Sequence, residues 1–95
     1  MKRKRKKDKM SMVDFSMTMV FENEKKEKVW DSWMLIPKDI IKDENLVIDT
    51  VISMIEEELK SGDYDIITDG GIQEVVEVIV EEVNHLMVDK VLTRY

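Results

Sequence analysis

Along SMVDFSMTMVFE (11–22), apolar side chains fall on Val13, Phe15, Met17, Met19 and Phe21, and Asp14, Ser16, Thr18 and Glu22 take positions between them. A period of two puts one set on each side of an extended chain, so this stretch predicts a strand with one buried face. NEKKE (23–27) is a polar connection without glycine, and KVWDSWMLIP (28–37) returns as an antiparallel partner. Under strict alternation Trp30, Met34 and Ile36 share one side of that strand, and Val29, Trp33 and Leu35 the other. Both sides are then largely apolar, as in a strand that is central in its sheet or covered on both sides. Pro37 cannot donate to a ladder and ends it.

From residue 43 the period changes. Ile48, Val51, Ile52, Ile55 and Leu59 recur at steps of three and four, with Asp49, Glu56, Glu57 and Lys60 opposite them. That spacing predicts an amphipathic helix over 43–61, capped by Asp43 and closed at Ser61-Gly62. YDIIT (64–68) reads as a third short strand and Asp69-Gly70-Gly71 as a turn. In the remaining stretch Ile72, Val75, Val76, Ile79, Val80, Val83, Leu86, Met87 and Val91 fall in one arc of a helical wheel. Glu74, Glu77 and Glu81 lie opposite, so a second, longer helix is predicted. Val78, Val88 and Leu92 fall outside the arc and mark an oligomer contact on that helix.

The expected fold class is therefore α+β: an N-terminal antiparallel β-hairpin, with the short third strand, packed on two α-helices. One domain spans 11–95, and a disordered basic arm spans 1–10.

Charge sharpens this picture. The net charge is −6, yet MKRKRKKDK (1–9) alone carries +6 through Lys2, Arg3, Lys4, Arg5, Lys6, Lys7 and Lys9, leaving −12 on the rest. Such an arm suits polyanion contact, because clustered Lys and Arg release condensed counterions from phosphates. KRKRKK also fits the loose pattern of a nuclear import signal. Glu74, Glu77, Glu81, Glu82 and Asp89 would line the last helix as an acidic face for a basic partner. The chain has no Cys, and so no disulfide or thiolate chemistry.

Catalytic and metal signatures are sparse. His85 is the sole histidine, in one Glu82-x-x-His85 pairing, whereas a di-iron bundle needs two such pairs and further Glu. DYDIITDGG (63–71) departs from a calcium loop at Ile67. No Ser has a nucleophile-elbow setting, and no nucleotide-binding fingerprint occurs. The expectation is a protein that is not an enzyme, with no cofactor, no metal and no membrane contact. It is cytoplasmic, or nuclear in a eukaryotic setting.

In that expectation the chain regulates or inhibits a nucleic-acid-handling protein. The acidic face meets the protein partner while the arm contacts nucleic acid or an acidic patch. Small phage and mobile-element regulators often share this profile, a likeness of composition alone. The alternative is a structural subunit, such as a virion component or homodimer, assembled through the C-terminal helix.

Overall fold

The computed structural model describes residues 9–95. Strand β1 (Met10–Phe21) and strand β2 (Lys26–Pro37) form the first hairpin, antiparallel as their patterns predict. Val13, Phe15, Met17, Met19 and Phe21 are all buried. After β2 come a single turn, α1 (Lys38–Ile41), and the long helix α2 (Glu44–Ser61). The Asp43 side chain accepts from the Leu46 N–H at 3.2 Å, and Gly62 closes the helix in the left-handed conformation at φ 88°. An isolated helix of this length is marginal in water, so its packing decides whether it forms. Val47, Val51, Ile55 and Leu59 form one seam, each almost wholly buried in the same core as the β1 side chains.

The C-terminal third overturns the expected architecture. There is no second long helix. Short strands β3 (Ile66–Thr68) and β4 (Gly71–Gln73) pair with each other, and β5 (Val75–Val83) and β6 (Leu86–Thr93) form a hairpin that joins the main sheet. The result is a four-stranded antiparallel sheet in the order β2-β1-β5-β6, with a separate two-stranded sheet and helices α1 and α2, rather than a hairpin packed on two helices.

The helical reading failed because bulges disguise the strand period. In β5 the buried residues are Val75, Val78, Val80 and Val83, spaced three, two and three apart. The register against β1 slips at Phe21/Val20 and again at Met17/Ser16, so β5 carries an extra residue at Val76 and at Glu81. Each extra residue turns a step of two into a step of three, which a helical wheel accepts. Between β5 and β6 stand Asn84 and His85, with φ of 52° and 67°, the left-handed pair that a tight two-residue hairpin requires. The Asn84 N–H donates to the Asp14 carbonyl at 2.7 Å and pins this turn to β1.

A bulge also re-sorts β2. Phe15 pairs with Ser32 and Met17 with Val29, so β2 has one residue more than β1 there, and Asp31 takes φ 56°. Past that point the faces exchange. Val29 and Met34 pack against the core, while Trp30, Trp33 and Leu35 are exposed.

Tyr64, just after α2, packs against the core edge. Its phenol is pushed well above its ordinary value by burial first, then by a hydrogen bond to Glu58 and the charges of Glu58 and Asp63. A raised folded-state pKa means stability is whole below the unfolded value near 10 and is lost as pH rises through the folded value. Tyr64→Phe should therefore flatten the fall in stability above about pH 10. Urea midpoints measured from neutral to strongly alkaline pH check this, and parallel curves for the two proteins would contradict it.

Candidate functional site

The irregularities of the sheet line up. The extra residue of β2 at Asp31, that of β5 at Glu81 and a third in β6 between Met87 and Lys90 all lie level with Ser16 on the central strand β1. Asp89, in the β6 irregularity, takes φ 51°. Bulges of this kind bend strands and re-aim side chains, and they gather beside functional sites. Here they open a cavity of about 130 Å³ in the sheet, lined by Asp14, Phe15, Ser16, Trp30, Asp31, Glu82 and His85.

Ser16 is the only buried polar residue among those described, at 8% exposure. It lies in the cavity wall. Three carboxylates, Asp14, Asp31 and Glu82, share the lining. Beside it, Glu81 accepts from the Thr18 hydroxyl at 3.1 Å and pairs with Lys28. The Lys28 ammonium also stands 4.6 Å from the centre of the Trp30 ring. The electron-rich ring face thus already attracts a cation at this end of the sheet.

The cavity opens on the sheet face turned away from α2. Among the described residues nothing covers that face. Met12 is 61% exposed, Trp33 58% and Trp30 68%, and Met12 and Leu35 are cross-strand partners. Met87 and Val91 continue the apolar exposure onto β6.

The predicted site residues are scattered by this fold. Lys2, Arg3, Lys4, Arg5, Lys6 and Lys7 lie outside the described residues, and Lys9 is exposed just before β1. Glu74, Glu77, Glu81, Glu82 and Asp89 do not share a helix face. Glu74 pairs with Arg94, Glu77 sits opposite Val20 and Thr93, and only Glu81 and Glu82 border the cavity region. Val78 and Leu92 are buried in the core and Val88 packs against it, so this trio forms no exposed contact.

His85 and Glu82 line the same cavity, but from a hairpin rather than along a helix. Among the described residues no group of three or more His, Asp or Glu could hold a metal ion. Nor does any described helix have the length and apolarity to cross a membrane. Sequence reasoning missed Asp14, Ser16 and Asp31 as neighbours. The one available signal was an aspartate interrupting the apolar run of β2.

Chemically, the cavity offers acceptors and an aromatic wall, a combination suited to a cationic donor. Ser16 and His85 line it together, yet no hydrogen bond links them as a nucleophile and its base would require. Comparison with protein-family models, curated proteins and solved structures returns no match for this chain.

Proposed function

We propose that the chain is a non-enzymatic binding protein that regulates or inhibits a basic, nucleic-acid-handling protein, docking it on the uncovered face of the sheet. The observation that carries this reading is the exposure of Trp30, Trp33, Met12 and Leu35 on two adjacent strands. Contiguous exposed apolar surface marks interaction sites, and Trp is the residue most often found as an interface anchor. Carboxylates of Asp14 and Glu82 border these anchors, which favours a partner with basic residues around an apolar centre. The arm, with Lys2 to Lys7 and Lys9, adds a salt-sensitive contact to nucleic acid in the same complex.

The test is affinity capture from source-cell lysate, nuclease-treated, with the native chain and a Trp30→Ser/Trp33→Ser variant as bait. Both side chains are more than half exposed, so the variant should unfold close to the native midpoint. The retained basic protein should bind it at least about 30-fold more weakly, the scale of losing an anchor worth roughly 2 kcal/mol. Equal retention by both baits would remove the reading.

A second reading, assembly of identical subunits, cannot use the expected C-terminal helix. It is favoured instead by β2, a twelve-residue strand at the edge of the sheet whose outward backbone groups are available for pairing. Sedimentation separates the two: a monomer at high concentration leaves only the heterologous partner.

A further inference from the structure

We propose that Lys28 is a positioning residue that holds the Trp30 ring ready for the partner, and that Glu81 and Thr18 hold Lys28 in turn. This rests on the docking reading and names what orders one of its anchors.

The bulge in β2 creates the need for such a device. Met17 pairs with Val29 and Phe15 with Ser32, so Trp30 and Asp31 together stand opposite the single residue Ser16 and neither has a place in the ladder. The following backbone departs further, with Asp31 at φ 56°. The core does not fix the Trp30 side chain either, since most of it faces solvent. An anchor left free must be ordered on binding, and that cost comes off the affinity.

A chain of contacts across three strands supplies the order. Thr18 of β1 donates its hydroxyl to Glu81 at 3.1 Å, Glu81 of β5 pairs with Lys28 of β2, and the Lys28 ammonium stands 4.6 Å from the centre of the Trp30 ring. Glu81 is itself the extra residue of β5, so one bulge supplies the carboxylate that steadies the side chain displaced by another. The side chains of Lys28 and Glu81 are 28% and 34% exposed, which shields their pairing from part of the solvent that weakens a surface pair. An ammonium tied to a carboxylate on one side and drawn to an indole face on the other has one place to lie.

Charge alone makes the opposite prediction for this residue. An ammonium on the docking face repels a basic partner, so its removal would tighten binding. If Lys28 acts through Trp30, its removal weakens binding.

The experiment has two arms. In the first, NMR follows the Lys28 Cε protons in the full chain without any partner. The indole ring current should place them upfield of their position in Trp30→Ser, and Glu81→Gln should move them towards that position although Glu81 is not the residue beneath the ring. The urea midpoints of the variants should stay near the native one, because these groups are partly exposed. In the second arm, the basic protein retained by the native bait is purified and titrated. Lys28→Met, which keeps the apolar stem, should bind it about three- to tenfold more weakly, the scale of ordering one side chain. Lys28→Arg keeps pairing and stacking and should stay within about twofold of native. In a Trp30→Ser background Lys28→Met should have no further effect, as expected of two residues that act as one.

Cε protons that neither Trp30→Ser nor Glu81→Gln moves would overturn the proposal. So would unchanged or tighter binding by Lys28→Met. An equal loss in the Trp30→Ser background would also overturn it, because Lys28 would then act on the partner directly. A native bait that retains no basic protein removes the docking reading instead, and the first arm still decides whether Lys28 holds the ring.

Discussion

Val78→Asp should leave this chain largely unfolded, while Val91→Asp, thirteen residues later and on the neighbouring strand, should change its stability by less than about 1 kcal/mol. Val78 has no exposed surface and lies between Met19 of β1 and Leu92 of β6. A carboxylate there must either lose its hydration inside an apolar sheet or hold its proton far above the ordinary carboxylate range. Either way the cost is several kcal/mol, against a total of about 5–15 kcal/mol for a domain of this kind. Val91 is 52% exposed on the uncovered face, where an Asp keeps its water. A helix over 72–92 demands the reverse, since it buries Val91 in its apolar arc and leaves Val78 outside. Urea denaturation of the two variants followed by circular dichroism decides the matter, and a mild Val78→Asp with a severe Val91→Asp would refute the sheet.

That contrast shows where the chain was legible and where it was not. β1 could be read because its core residues keep strict alternation from Val13 to Phe21, so local pattern and tertiary burial agree. The helix over Glu44–Ser61 could be read because seam and both caps are written locally, in Asp43, in the run from Val47 to Leu59, and in Gly62. β5 could not be read by period, since Val76 and Glu81 are inserted by pairing with a strand some sixty residues earlier. Its composition was the better guide. Val75, Val76, Val78, Ile79, Val80 and Val83 are all β-branched and favour extended backbone, and Asn84 is a turn residue suited to positive φ.

The candidate site depended on the same hidden features. Asp14 and Ser16 sit on the face that alternation assigns to solvent, and Glu81 and Glu82 were expected on a helix. What gathers Asp14, Ser16, Asp31 and Glu82 around Trp30 is the coincidence of bulges in three strands at one level. Trp30 and Trp33 stand on one face for the same reason. Three residues apart, they would oppose each other in a regular strand, and the extra residue at Asp31 turns them to the same side.

Arg94→Met should cost about 2–3 kcal/mol, because one guanidinium fastens the end of α2 to the far end of the chain. Its side chain is only 6% exposed. The Nε–H donates to the Leu59 carbonyl at 2.8 Å, Nη2 donates to Asp65 at 3.1 Å, and Nη1 pairs with Glu74, while the Arg94 backbone N–H donates to Val76. Leu59 sits in the last turn of α2, where its carbonyl otherwise has only the long 3.4 Å contact from the Gly62 N–H and a cation is favoured by the helix dipole. Asp65 and Glu74 are 43% and 38% exposed, so they recover water when the arginine is removed and add little to the loss. The larger part comes from the buried Leu59 carbonyl, which no water reaches as readily, and from the end of β6 losing its tether. Arg94→Lys keeps the charge but offers a single ammonium where three separate acceptors are waiting, so it should recover less than half of the stability. Gly62 is bound into the same arrangement: a Cβ there would meet Nη2 at 3.3 Å, and its φ of 88° already disfavours a side chain. Urea midpoints of the native chain, Arg94→Lys and Arg94→Met at neutral pH measure the effect. If Arg94→Met loses less than about 0.5 kcal/mol, the helix end and the C-terminal strand are held by apolar packing alone, and the guanidinium is a passenger in the contact it occupies.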